Sequence, residues 1–298
     1  MKFLFICIIS CTVCIQTLGK EVRVNPAGPT RPLHFNKKVI DKAALRCFYE
    51  FKRSGTKKED VSRTDTMVLY VGDSLSKFYD PARLRRDSLL NDKMKNMDPS
   101  SIKSINVLKG ESARDLSKMP GSTYISSSGQ GESYQILKDR RHKKITVVDY
   151  TSAIGDRFQY EETIDALPWI ISDSTDTILS YPCRKATLKF RGRDYVAWYS
   201  SDIPINEGPW KFMGLPGLII KIQDSAQHFS FTLIGLEQLN PPVAMEQDDT
   251  KYMKCTRAEF EKLKKKQDGG LQYNFNAGNI TIATMPGHYE YVPMELEP

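Results

Sequence analysis

Between Lys143 and Leu239 apolar and polar residues alternate with a period of two, and no stretch carries a convincing helical pattern. Alternation of this kind marks half-buried strands. Strands are expected at 144–149, 157–162, 167–172, 176–181, 184–190, 193–199, 218–223 and 228–236. Parallel neighbours would need crossovers of a dozen or more residues, and the intervening turns are too short for that. The strands must therefore run as an antiparallel meander. Upstream, "AALRCFYEFK" places Leu45, Cys47, Tyr49 and Phe51 on one face and Arg46, Glu50 and Lys52 on the other. A further strand is expected at 66–71.

Helical signals are sparse. Asp80-Pro81 sets a capping residue before a proline suited to the first helical position. A helix is expected over 81–97, with Leu90, Met94 and Met97 on one face. Thr256 and Glu259 have capping-box spacing ahead of Lys264-Lys265-Lys266, and Asp268-Gly269-Gly270 supplies a stop. Residues 98–135, with "MPGSTYISSSGQGES", read as a flexible insertion. The chain after Asn240-Pro241-Pro242 reads as an extension with the short helix and a strand at "NITIAT". The expected fold is mainly β: a curved antiparallel sheet or half-barrel-like meander with one or two covering α-helices. Helix 81–97 is the natural cover for its concave face.

The first residues, "MKFLFICIISCTVCIQTLG", have a basic start, an apolar run from Phe3 to Ile15 and a small-residue end. The run is short of the ~20 residues a spanning helix needs. A signal peptide over 1–19 and a single exported domain over 20–298 follow, periplasmic or outer-membrane associated, with lipidation at Cys11 as the second choice. No other apolar run reaches spanning length, so the mature chain has no expected transmembrane segment. Cys47, Cys183 and Cys255 then remain, enough for one bridge. Three pairings are open, Cys183 with Cys255 among them. There is no C-x-x-C in the mature chain, and His34, His142, His228 and His288 are isolated, so no metal or cofactor is expected. The net charge of +7 is spread along the chain. Its densest run reads as a solvated helix face, and nucleic acid is excluded as a partner.

Two segments carry candidate chemistry. Gly72-Asp73-Ser74-Leu75 matches the nucleophile block of GDSL-type esterases, and Asp139 and His142 have D-x-x-H spacing. A serine hydrolase needs such a base and its orienting carboxylate. The context differs: the pair follows a loose segment in a β-rich chain, and no oxyanion-hole blocks lie between. The block reads as a polar turn closing strand 66–71. A serine esterase using Ser74, Asp139 and His142 is the alternative reading.

The second segment is "GPWKFMGLPGLIIKI", Gly208 to Ile222. With the upstream Trp169…Asp176-Thr177-Ile178, Tyr181-x-Cys183-x-Lys185-Ala186, Phe190-Arg191-Gly192-Arg193 and Ala197-Trp198-Tyr199, it resembles the core of the GLPGLI family. The likeness is strong over 169–236 and recognisable over 43–97. It implies an exported envelope protein of Gram-negative bacteria and lends no activity, substrate or cofactor. Gly208, Pro209, Phe212, Gly214, Leu215, Pro216, Gly217, Leu218 and Ile219 are its motif residues.

Physically, Pro216-Gly217 suits the centre of a type II turn. Trp210 and Phe212 would anchor the loop by burying large aromatic surface, and Leu218 to Ile222 would enter a strand buried on both faces. Arg191, Arg193, Trp198, Trp210 and Lys211 are the tentative binding set: paired arginines suit a carboxylate or phosphate. The same cations could instead pair with Asp194, Asp202 or Glu207. The expected function is non-catalytic, with a hydrophobic ligand or an outer-membrane protein as partner.

Overall fold

The computed structural model describes residues 37–54, 63–95, 104–109, 123–125, 131–150, 157–249, 251–266, 271–276, 279–284 and 292–297. The leader expected over 1–19 lies outside them. In chain order the first elements are β1 (Lys37–Arg53), β2 (Arg63–Gly72), β3 (Leu75–Tyr79), α1 (Pro81–Lys95), β4 (Ser104–Lys109), β5 (Thr123–Ile125) and β6 (Gln135–Asp139). Then come β7 (Lys144–Tyr150), β8 (Arg157–Thr163), β9 (Ile170–Ile178), β10 (Tyr181–Phe190), β11 (Arg193–Ser200), β12 (Leu218–Asp224) and β13 (Phe229–Asp248). The chain continues through β14 (Met253–Lys254), α2 (Arg257–Lys266), β15 (Leu271–Asn276) and β16 (Asn279–Thr284).

Twelve strands form one sheet in the order β14-β8-β7-β6-β3-β2-β1-β13-β12-β11-β10-β9. All its pairs are antiparallel except β14 with β8. The expected meander is thus two meanders, β1-β2-β3-β6-β7-β8 and β9 to β13, joined where β1 pairs β13. A smaller sheet orders β4-β16-β15-β5. It draws β4 and β5 from the segment expected to be a flexible insertion, and the strand at "NITIAT" is β16.

The large sheet is strongly curled. β8 and β11 stand eight places apart in it, which in a flat sheet would be roughly 40 Å at ~4.8 Å per strand. Yet Arg191, in the turn before β11, lies 2.8 Å from Glu162 of β8. Only a sheet bent most of the way round brings these ends within one arginine's reach.

The space enclosed is packed with aromatic side chains. Tyr49, Phe51, Phe78, Phe212, Phe229 and Phe231 are fully buried. Phe51 stacks on Phe231 at 4.4 Å, and Tyr195 meets Phe212 edge-on at 4.7 Å. Over its described side chains, residues 81–89, helix α1 supplies no buried apolar cover. Its Asp80 cap accepts from the Arg83 amide at 2.9 Å as the sequence implies, and among its described side chains the buried ones are the Arg83–Asp87 ion pair. The side chains of Leu90, Met94 and Met97 lie outside the described ones. The interior is closed instead by the loop between β11 and β12, by Phe260 of α2 and by the C-terminal segment 292–297.

Boundaries moved where turn chemistry outweighed pattern. The two strands expected at 167–172 and 176–181 are the single strand β9 and the start of β10. Their turn is Leu179-Ser180, both at positive φ, as a type I′ hairpin requires. β13 runs on through Pro241-Pro242, where a break was expected. There Leu45 faces Gln238 while Ala43 faces Val243, so the intervening residues bulge out and the prolines owe the ladder no N–H.

Candidate functional site

The loop from Ser201 to Gly217 folds into the mouth of the curled sheet. Its ends are drawn together by the Leu218 amide on the Ile203 carbonyl (3.0 Å) and the Ile219 amide on the Glu207 carbonyl (3.0 Å). The Phe212 amide closes a turn on the Pro209 carbonyl at 3.1 Å. That turn holds Trp210 at φ 52°, a left-handed conformation that costs a bulky residue about 1–2 kcal/mol. Burial of its indole against Phe190 (6.0 Å) and Phe212 (5.1 Å) offsets this. Pro216 and Gly217 do not make the expected type II turn. The Gly217 amide bonds the Leu215 carbonyl at 2.8 Å, a three-residue γ-turn centred on proline. Gly217 is required for another reason: a Cβ there would lie 2.1 Å from the Ser200 carbonyl oxygen.

Two ion clusters fix this loop. The inner one centres on Glu207, whose carboxylate is 1% exposed. Lys138 of β6, itself 0% exposed, places its ammonium 2.6 Å from Oε2. The same ammonium donates to the carbonyls of Gly208 (2.9 Å) and Phe212 (3.3 Å). Arg140 Nη1 lies 2.8 Å from Oε1, and the Ser76 hydroxyl donates to Oε1 at 2.9 Å. Burial holds the Lys138 ammonium below its ordinary pKa against the pull of Glu207. Cys47 lies in the same field, its thiol pushed up to about 12 by burial and then by Glu207.

The outer cluster centres on Lys211, which lies 2.5 Å from Glu162 and 2.9 Å from Glu295. Arg191 and Arg257 reach both carboxylates as well. Burial alone would raise the Glu162 carboxyl, but Lys211, Arg191 and Arg257 together hold it below the usual range. The C-terminal segment is bound into this cluster by its backbone. The Leu296 amide donates to the Arg191 carbonyl (2.9 Å), Arg193 Nη2 to the Pro293 carbonyl (2.8 Å) and the Tyr195 hydroxyl to the Met294 carbonyl (3.0 Å).

Among the tentative binding residues, the three cations are therefore engaged within the chain, by Glu162, Glu295 and Asp224 rather than by Asp194, Asp202 or Glu207. Arg193 is 7% exposed, with Asp224 at 3.2 Å. Trp198 packs partly buried against the core, whereas Trp210 lines a cavity of about 170 Å³. Of the motif residues, Phe212, Leu215, Leu218 and Ile219 are core, at 0% exposure. Sequence reasoning missed Lys138. The signal was its parity: Tyr134, Ile136 and Lys138 alternate onto one face, so the lysine had to point inward.

The remaining candidates resolve differently. Cys183 and Cys255 are both free. Cys183 lies in β10, whereas Cys255 follows β14 and bonds the Gln159 carbonyl of β8, near the opposite end of the sheet order. Gly72 to Leu75 is a strand-to-strand hairpin whose two turn residues are Asp73 and Ser74. The fold does bring Ser74 to the end of the sheet that carries the esterase pair: the Arg140 amide donates to the Ser74 carbonyl at 3.0 Å. His142 Nδ1 lies 2.8 Å from Asp139, but the Ser74 hydroxyl turns to Asp41 at 3.4 Å. No group of histidines, cysteines and carboxylates with metal-binding geometry occurs among the described residues. No helix among them is long and apolar enough to cross a membrane.

No curated protein matches the chain. Solved structures of PNGF-II in two crystal forms resemble it at 9% and 10% identity, with TM-scores of 0.48 and 0.46. Each comparison covers 78% of this chain and 35% of the PNGF-II chain, so the protein spans about a third of that length. A family described as a protein of unknown function (Porph_ging) matches residues 191–221. That span holds Arg191, Arg193, Trp198, Trp210 and Lys211 and the whole motif from Gly208 to Ile219.

Proposed function

We propose that the chain is an exported, non-catalytic envelope protein of the GLPGLI type that docks an extended segment of a partner protein along β9. The observation that carries this reading is the exposure of β9. Among the described residues it ends the sheet order and pairs only with β10, leaving Ile170 71% and Ile171 42% exposed. An open edge of this kind takes an added strand through main-chain hydrogen bonds, with side chains setting specificity. Asp173 and Asp176 are exposed along it and favour a basic segment. The other edge, β14, is two residues long. Of the two occupants the sequence suggests, a partner suits this molecule better than a lipid. The cavities described are about 170 and 190 Å³, below the roughly 300 Å³ at which pockets for drug-sized ligands begin and too small for an acyl chain.

Photo-crosslinking in cells tests this, with the reactive residue at Ile170 or Ser174 and at Val39 as an exposed control on β1. A discrete adduct from β9 only, lost when Ile170 and Ile171 become lysine, is the expected result. Adducts of equal yield at Val39, or none from β9, would overturn the docking. Ester turnover abolished by Ser74→Ala would overturn the non-catalytic assignment, and recovery of the chain in the cytoplasmic fraction would overturn export.

A further inference from the structure

The cavity beside Trp210 has walls of a particular kind. Tyr134, Tyr160, Trp210 and Phe260 supply aromatic surface, and Ile136, Val147 and Met294 complete the apolar lining. Its volume of about 170 Å³ corresponds to about six water volumes at ~30 Å³ each. That suits one small ring and not a chain.

Two buried polar atoms on these walls find no partner among the described residues, the Tyr134 hydroxyl and Arg53 Nε. Tyr134 is 9% exposed, and burial, aided by Glu132, holds its phenol well above the ordinary pKa, so it keeps its proton and can donate. Arg53 Nε–H can only donate. Both therefore call for an acceptor oxygen in the cavity, because a buried donor left unmade is costly. An ion does not fit the charges already present. Glu132 is paired by Arg53 and Arg63, Asp149 by Lys264 at 2.7 Å, and Glu295 by Lys211 and Arg257, and Glu261, also on the wall, is not free either. A further charge would enter without a counter-ion, which a buried site does not tolerate.

From the orphan donors, the aromatic walls and the wall charges already engaged within the chain, we infer that this cavity is a binding site for a neutral, hydroxyl-rich ring the size of one sugar unit. The ring's C–H faces would lie on the aromatic surfaces, with its oxygens accepting from Tyr134 and Arg53.

Protein-observed NMR titration of the full chain, with the Trp210 indole resonance as reporter, tests the assignment. The probes are D-glucose, N-acetyl-D-glucosamine, methyl β-D-glucopyranoside, sodium acetate and methylammonium chloride. Saturable binding of a neutral ring that moves the Trp210 signal is expected, with no response to the two ions. Binding of the methyl glycoside would mark a chain-terminal sugar, and binding of the free sugars alone a free monosaccharide. Tyr134→Phe, which keeps the volume and breaks no hydrogen bond among the described residues, should melt as the parent does. It should bind about five- to tenfold more weakly, the loss expected for one hydrogen bond. Saturation by acetate or methylammonium, no saturation by any neutral ring, or unchanged affinity in Tyr134→Phe would each overturn the proposal. So would a crystal structure from sugar-soaked crystals showing only water in the cavity.

Discussion

The two ion clusters that hold the β11–β12 loop are built from the same residue types and do different work. The inner one has a single carboxylate at its centre: Lys138 and Glu207 are 0% and 1% exposed, Arg140 reaches the carboxylate with a side chain 27% exposed, and the lysine is also tied to two backbone carbonyls of the loop. The outer one has three cations on two carboxylates, and Arg191 keeps 27% of its side chain in water. A buried pair with few alternatives is intolerant, because losing one partner strands the other in a low-dielectric interior. A redundant cluster shares each charge among several neighbours. The inner cluster thus sets the loop's place in the sheet, whereas the outer one fastens α2 and the C-terminal segment onto a loop already placed.

The sharpest break in this comparison is one carboxylate removed from each cluster. Glu207→Ala leaves Lys138 buried without a counter-ion and should cost about 3–5 kcal/mol. Glu295→Ala leaves Glu162 to serve the same three cations and should cost about 1–2 kcal/mol. Chemical denaturation of both variants measures the gap, and equal losses would refute the division of labour.

A second consequence concerns pH. Lys138 already sits below its ordinary pKa through burial, and Glu207→Gln removes the attraction that opposes the shift. The folded variant then binds fewer protons than its unfolded chain, so its stability rises with pH. The rise continues until the unfolded lysine titrates near ~10.4, with a slope of at most about 1.4 kcal/mol per pH unit. Unfolding free energies from pH 6 to 10 should climb in the variant more steeply than in the parent.

How far this arrangement could be read from the chain depends on the range of the interaction. Local signals held: the Asp80-Pro81 start, the Thr256–Glu259 box, the period-two strands and the Asp73-Ser74 turn are all set by neighbours within a few residues. The joining of the two meanders by β1 and β13 was not legible, because nothing in either strand's pattern names its partner. The partners of the cations were missed for the same reason. Asp194, Asp202 and Glu207 are close in sequence to Arg191, Arg193 and Lys211. The curl of the sheet instead delivers Glu162 from β8 and Glu295 from the C-terminal segment. In helix α1 the expected cover rests on Leu90, Met94 and Met97, outside the described side chains, and the buried pair that is described, Arg83–Asp87, carries no apolar periodicity to announce it.

Acid separates the clusters more gently. The Glu162 carboxyl is held below its ordinary range by three cations, so its contribution is whole above the unfolded value near ~4.3. That contribution drains away as pH falls through the folded pKa. Glu162→Gln lacks it at every pH. Thermal melts from pH 7 to 3.5 should therefore fall less steeply in the variant than in the parent. A parallel fall would place the acid sensitivity elsewhere.

The smallest expected effect tests whether α2 merely rides on the outer cluster. Its first turn is closed by a reciprocal box, with the Thr256 amide on Glu259 at 2.8 Å and the Glu259 amide on the Thr256 hydroxyl at 3.2 Å. Thr256→Ala removes the cap and should cost about 1 kcal/mol. Arg257 follows directly and Phe260 packs on Tyr160 at 6.2 Å, so a frayed first turn would loosen the outer cluster while leaving Lys138 and Glu207 untouched. Hydrogen exchange should then quicken at Leu296 and Glu297, whose amides rest on the Arg191 carbonyl, and stay unchanged at Leu218 and Ile219, whose amides close the loop over the inner pair. Faster exchange at those two would mean that the clusters open together and that the loop has one anchor rather than two.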